Sequence, residues 1–338
     1  MRAFVVTGPG KSEVRDVESP TAGPGQVVVN IHRVGVCGTD QEFFSGEMAY
    51  LKDGFAQYPI RLGHEWCGVI ASVGDGVDES LVGKRTTGDT MLGCGTCRRC
   101  LTGRHHVCEF RYEIGVRNGW PGALAEQLAV PESSLHILPD SVGDTAGALV
   151  EPGGNALRAV EAANLQPGDR VLVLGPGTIG LLVGLFAQAA KAEVHLLGRS
   201  ASSLEFARTF GFAGAWTEED LPPLPFDAVI DASNAPGLPA AAVQLVEPAK
   251  RVVYVGLSGS PSLIDTRALA LKDVTAVGIL GASAGLAGTI ASYADGSVDP
   301  RPLVHATIAL EGLAEAFAGP RPPGSGQGPK LHVDPRLV

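Results

Sequence analysis

Cys37, His64 and Glu65 offer a thiolate, an imidazole and a carboxylate, a donor set that suits zinc. Cys37 lies in Val36-Cys37-Gly38-Thr39-Asp40, and Gly63-His64-Glu65 places its histidine twenty-seven residues further on. Three protein ligands and one open position describe a catalytic zinc rather than a structural one. A single Cys is usually a small core residue and a single His a satisfied polar one, so the trio needs support. Cys94, Cys97, Cys100 and Cys108 supply part of it, four thiols within fifteen positions. At that density they can close a tetrahedral zinc with no open position, a structural site, although an iron–sulfur cluster takes the same ligands. Metal there would pin a lobe with little apolar core and contribute directly to its folding.

Gly175-x-Gly177-x-x-Gly180 follows the apolar run Arg170 to Leu174 and, through Thr178 and Ile179, opens an apolar helical stretch. In that context the first glycine permits the turn, the second lets backbone approach a pyrophosphate, and the third lets helix pack on strand. The helix N-terminus supplies donors for phosphate. After the next strand, where an acidic residue would bind the ribose 2′-hydroxyl of NAD, the chain has Gly198-Arg199-Ser200. Arg199 can pair with a 2′-phosphate, which predicts NADP over NAD, with NAD still possible. Asp231-Ala232-Ser233 falls where loops line the cofactor crevice, and equally fits a turn with a helix cap.

Two kinds of chain must position these residues. Up to about residue 150, short strands such as 26–31, 67–74 and 122–130 alternate with Gly/Pro turns, the pattern of a barrel-like or irregular β domain. From residue 151 strands and helices alternate, which predicts a doubly wound parallel sheet. Its strands are expected near 170–174, 193–197, 227–231, 251–255 and 274–279, and its helices near 155–164, 181–190 and 201–210. The last fifty residues leave that pattern, with a Pro/Gly/Ser loop over 318–328 and a closing strand at Lys330 to Val333 that should rejoin the first domain. The expected division is therefore 1–150 with 286–338, and 151–285.

The net charge of −10 argues against nucleic acid and against an anionic membrane surface as partners. There is no signal-peptide pattern at Met1 and no apolar run near the ~20 residues that span a bilayer. Six cysteines, four of them clustered, point to metal in a reducing compartment, the cytoplasm.

Taken in order, Cys37-Gly38-Thr39-Asp40, Gly63-His64-Glu65, the four-cysteine lobe, Val150-Glu151-Pro152 and the glycine motif resemble the zinc-containing medium-chain dehydrogenases over essentially the whole chain. The resemblance implies an α/β protein with a GroES-like β-rich catalytic domain and a Rossmann domain. Gln41-Glu42, Ser45-Gly46-Glu47 and Tyr112-Glu113-Ile114-Gly115 look most like the sugar and polyol branch, microbial glucose dehydrogenases in particular. That branch implies zinc on Cys37, His64 and Glu65 with Glu151 as a possible fourth ligand, and Glu113 and Asn155 near substrate hydroxyls. Gly153-Gly154 and Thr90 depart from its pattern and leave glucose itself open.

The expected chemistry is hydride transfer between a secondary alcohol and NAD(P), with zinc as Lewis acid. Thr39 would pass the proton on, with Glu42 or Glu47 ending the relay, while Asp40 bonds locally. Alternatives are a zinc dehydrogenase of an amino alcohol, an aminocyclitol or a simple alcohol, and a cofactor-binding protein without activity. A zinc-free enone reductase would lack Cys37, His64 and Glu65. The apolar strand at 274–280 ends the sheet, and an exposed edge invites pairing into a homodimer or tetramer.

Overall fold

The computed structural model describes residues 1–319, 321–322 and 324–338. It forms two compact units: Met1–Glu151 with Val304–Gly326 and Lys330–Val338, and Pro152–Leu303 with Gln327–Pro329.

In the first unit the long strand Gln26–Val36 organises a seven-stranded sheet. It pairs antiparallel with Glu65–Val73, with Gln127–Pro131 and with the returning strand Lys330–Val333. Beyond these lie Arg85–Gly88, Leu135–Ile137 and Val304–Ile308. Alternation along these strands turns Val27, Val29, Ile31, Trp66, Ile70 and Leu128 into one core with Phe4, Phe43 and Leu124. The strand expected over 122–130 is shorter, Gln127–Pro131, because residues 122–124 bond elsewhere. Gly122, Ala123 and Leu124 donate their amides to the carbonyls of Arg61, Gly63 and Leu62. That exchange pins the turn before His64. The closing strand rejoins this unit as expected. Of the expected loop over 318–328, Pro320 and Pro323 lie outside the described residues.

The second unit holds a six-stranded, all-parallel sheet in the order Gly214–Trp216, Glu193–Leu197, Arg170–Leu174, Phe226–Asp231, Val246–Tyr254, Thr275–Gly278. The strand order reverses beside Arg170–Leu174, the doubly wound arrangement. The three-residue strand Gly214–Trp216 carried no sequence signal, being shorter than any periodicity can resolve.

The second division differs from expectation. Residues 286–303 belong to the second unit, not to the β-rich one. The reason lies in Gly153 and Gly154 on helix Val150–Ala163, which begins five residues before the expected start. A Cβ on Gly153 would stand 2.3 Å from Tyr293 Oη and 2.5 Å from Thr289 Cγ2, both on helix Leu286–Ala294. Gly285 likewise approaches the Gly154 carbonyl, 2.3 Å from a built Cβ. Only paired glycines allow that contact, and Tyr293 then stacks on Phe186 at 6.2 Å. Among the described residues no helix is long and apolar enough to cross a membrane.

Candidate active site and metal centres

Cys37, His64 and Glu65 converge. One donor atom from each lies within 4.8 Å of the others, although the residues come from two segments of chain. Cys37 closes strand Gln26–Val36 and caps helix Gly38–Ser45. Gly63, at φ +97, turns the second segment, and a Cβ there would meet the Leu124 amide at 2.8 Å. Glu65 then opens strand Glu65–Val73 opposite Gly35.

Asp40 joins the two segments. It is fully buried, and its carboxylate accepts from the Cys37 amide at 2.8 Å and the Gly63 amide at 3.3 Å. It also lies 3.8 Å from His64 Nδ1. Burial pushes the Asp40 carboxyl up, against the pull of His64 and the Cys37 amide. Burial opposes a proton on His64, but Cys37, Asp40 and Glu151 outweigh it and hold its pKa well above the ordinary value. Soft and hard anionic donors therefore crowd one buried imidazole, an arrangement that a divalent cation relieves. The donor set fits zinc. Glu151 is felt by His64 but is not one of the three clustered donors.

Sequence reasoning missed Lys330. Its ammonium donates to Glu65 Oε1 at 2.8 Å and Oε2 at 2.7 Å, and to the Val36 carbonyl at 3.0 Å. Burial opposes its charge, but Glu65, Cys37 and Asp40 outweigh that and hold its pKa above the ordinary lysine value. The available signal was a lysine at the head of an apolar strand expected to enter a sheet, since a buried ammonium requires a carboxylate.

The four-cysteine lobe is similarly explicit. Sulfur–sulfur distances are 3.9 Å for Cys94–Cys100, 3.5 Å for Cys97–Cys100 and 3.8 Å for Cys97–Cys108. Four sulfurs at about 2.3 Å from a tetrahedral zinc stand roughly 3.8 Å apart. A cluster of several irons sits between its ligands and needs them further apart, so a single ion fits where a cluster does not. Cys97 caps the short helix Arg98–Leu101, and Arg99 Nη1 closes the lobe on the Val107 carbonyl at 2.9 Å. Leu101 and Phe110 stay exposed, so the lobe gains little from apolar burial.

In the second unit Gly175 turns at φ +96, and a Cβ on Gly180 would sit 1.9 Å from the Gly175 carbonyl oxygen. Gly177 caps helix Thr178–Ala189 with nothing within 4 Å of where a Cβ would stand. Thr178 and Ile179 open that helix, and the first-turn amides of a helix lack intrahelical partners, the donors a pyrophosphate needs. Gly198 packs on Pro176, with a built Cβ 2.7 Å from its Cγ, and Arg199 beyond it is exposed. Ser200 caps helix Ala201–Arg208 and bonds Ser202 Oγ at 2.8 Å. Ser233 donates its hydroxyl to Asp231 Oδ1 at 2.7 Å and stands beside the Gly175 turn.

Other candidates separate. Thr39 and Glu42 are three residues apart on helix Gly38–Ser45 and share a side of it. Burial, then Glu47, pushes the Glu42 carboxyl up. Glu113 is buried, and its Oε1 accepts from Arg111 Nε at 2.7 Å and Tyr50 Oη at 3.3 Å. Arg117, unremarked in the sequence, stacks over Phe55 at 3.8 Å. Thr90 connects the neighbourhoods: its hydroxyl donates to the His64 carbonyl at 3.1 Å, and its own carbonyl accepts from Ile114. Asn155 lies on helix Val150–Ala163 in the second unit.

Residues 23–140 match the alcohol dehydrogenase GroES-like domain and residues 178–294 the zinc-binding dehydrogenase domain. The L-threonine 3-dehydrogenase of Saccharopolyspora erythraea is 31% identical over 294 residues, 83% of this chain and 84% of that protein. The chain belongs to the zinc-containing medium-chain dehydrogenases. Two solved structures are similar across the fold. A short chain alcohol dehydrogenase (rspB) from Escherichia coli CFT073, complexed with NADH, has a TM-score of 0.89 at 26% identity and covers 99% of both chains. A zinc-binding dehydrogenase from Sinorhizobium meliloti 1021, bound to NADP, has a TM-score of 0.89 at 25% identity with the same coverage. The fold is thus the GroES-like and Rossmann pair that the resemblance implied, and the protein is an oxidoreductase of this family.

For this dehydrogenase the lobe geometry has a direct consequence. Cys97→Ser should lose about one zinc per chain and lower the thermal midpoint by at least several degrees. Elemental analysis with calorimetry reads both, and unchanged zinc content would contradict a four-sulfur site.

Proposed function

We propose that this dehydrogenase transfers hydride between NAD(P) and a secondary alcohol of the sugar, polyol or cyclitol type. The convergence of Cys37, His64 and Glu65 beside Asp40 carries the reading. When bound there, zinc supplies Lewis-acid polarisation of an alcohol oxygen, and the nicotinamide cofactor takes the hydride. Thr39 accepts the alcohol proton and Glu42, whose carboxyl burial pushes up, receives it from the same side of the helix. Glu113, with Oε1 held by Arg111 and Tyr50, keeps Oε2 for a substrate hydroxyl. A polar wall of this kind favours a polyhydroxylated substrate over a simple alcohol. Glu151 acts as an alternate fourth ligand. The threonine-oxidising relative favours a second reading, a vicinal amino alcohol.

A panel of polyols, amino alcohols and primary alcohols, assayed with both cofactors, separates these readings. Polyols should give the highest kcat/KM, and Cys37→Ser should lower it by about a thousandfold or more, roughly 4 kcal/mol. Full turnover and full zinc content in that variant would remove the catalytic assignment.

Arg199, exposed past the second strand with no acid beside it, supports NADP as the preferred cofactor. Replacing it with Asp should shift the NADP/NAD ratio of kcat/KM by roughly tenfold or more toward NAD, the equivalent of about 1.4 kcal/mol. No shift in that ratio would refute the role of Arg199.

Strand Thr275–Gly278 ends its sheet and exposes Thr275, Ala276 and Gly278, with Leu263 and Leu271 also exposed. These features support a homodimer or tetramer built on that edge. Six free cysteines support a reducing, cytoplasmic setting. Light scattering should give an oligomer that Ala276→Lys dissociates, and a monomeric wild type would count against the edge.

A further inference from the structure

We propose that Arg117 is a specificity-determining residue that binds an oxyanion at one end of the substrate, so that the preferred substrates are polyhydroxylated chains ending in a carboxylate or a phosphate. The inference rests on the polyol reading and narrows it to the acidic members of that class.

Backbone geometry places this guanidinium. Glu113 and Arg117 face each other across a tight antiparallel turn. The Glu113 amide donates to the Arg117 carbonyl at 3.2 Å, and the Arg117 amide donates to the Glu113 carbonyl at 2.9 Å. Directly opposed residues send their side chains to the same face. Tyr50 touches both: its hydroxyl donates to Glu113 Oε1 at 3.3 Å, and its ring centre lies 5.4 Å from Arg117 Cζ. Gly115, inside the turn at φ +69, packs on the residue before His64, where its Cβ would be 2.9 Å from the Gly63 carbonyl oxygen. The turn that carries Glu113 and Arg117 is thus seated on the segment that carries a metal ligand.

Arg117 is 8% exposed, and its Nε is buried without a hydrogen-bond partner. Its surroundings are aromatic, with Cζ 3.8 Å from the centre of the Phe55 ring as well as near Tyr50. Ring faces attract a cation, but they do not replace the oxygen acceptors that its N–H groups seek. Glu113, the acid opposite, is held by Arg111 Nε at 2.7 Å, and among the described residues no ion pair reaches Arg117. One carboxylate therefore stands among two guanidiniums, and a positive charge is kept out of water without a counter-ion. A desolvated charge of that kind is costly. An oxyanion arriving with the substrate offsets the cost, and the planar fork of a guanidinium suits a carboxylate or a phosphate in two parallel bonds. A chain with a hydroxyl at Glu113 Oε2 and an oxyanion at Arg117 satisfies both groups. A neutral polyol leaves Arg117 unpaired.

The test is calorimetric binding to zinc-loaded protein carrying NADPH or NADH, a complex that holds the ligand without oxidising it. The matched pairs are D-glucitol with D-gluconate, galactitol with D-galactonate, and D-glucitol with its 6-phosphate. In at least one pair the anionic member should bind about tenfold or more tightly than its neutral partner. Which anion shows the preference identifies the oxyanion as carboxylate or phosphate. Arg117→Met should bring that pair within about threefold while changing the neutral polyol's affinity by less than about threefold. Arg117→Lys, which keeps the charge and loses the fork, should retain part of the preference. If the Met variant does not fold, Arg117→Gln is read in the same way. Equal binding within every pair by the wild type, a preference that survives loss of the charge, or an equal loss for neutral and anionic members would overturn the proposal and leave the polyol reading standing. Wild-type protein that binds no member of any pair would overturn the polyol reading and this inference together.

Discussion

The antiparallel ladder between Gln26–Val36 and Glu65–Val73 governs everything at the metal site. Its register sets Gly35 opposite Glu65 and brings Cys37, just past one strand end, against His64, just before the other. Side chains alternate along a strand, so a slip of one residue would turn Glu65 away and bury its neighbour Trp66 on the wrong face. Trp66 is among the largest fully buried side chains, and this resists the slip. Asp40 then locks the two ends through the Cys37 and Gly63 amides. Chemistry and core packing are thus specified by one register.

The two metal centres illustrate different physical economies. In the four-cysteine lobe the four thiols come from a short stretch of chain with exposed apolar residues around it, so an ion bound there would substitute for a core. At Cys37, His64 and Glu65 the scaffold is already over-determined by a sheet, a buried carboxylate and a buried lysine, and an ion would be added to a preformed pocket. A preformed site can leave a coordination position open, whereas a lobe that folds around its metal must close every one.

What was legible in the sequence depended on the range of the contacts. The glycine motif, the cysteine spacing and the alternation of strands and helices are local, and they pointed to the fold class, the clustering of the four cysteines and most strands of the nucleotide-binding unit. Lys330 was invisible because its meaning comes from a partner 265 residues away. The boundary near 285 failed for a related reason. Gly153 and Gly154 read as an unexplained departure, and only their contact with Thr289, Tyr293 and Gly285 shows that they draw residues 286–303 into the second unit. Glu113 was picked out while Arg111 and Tyr50, which hold it, were passed over, because a lone acid is conspicuous and a salt bridge is a pair.

The return of Lys330–Val333 to the sheet of the first unit also has a meaning for biosynthesis. The first unit is discontinuous, with about 150 residues of the second unit lying between Glu151 and Val304. A ribosome adding roughly 5–20 residues per second emits Glu65 many seconds before the lysine that neutralises it. During that interval the nascent β domain carries a carboxylate without its counter-charge and a sheet edge without its last strand. The nucleotide-binding unit, continuous apart from Gln327–Pro329, can mature first. The strand that supplies both the missing edge and the missing charge to Glu65 lies 265 residues further along the chain.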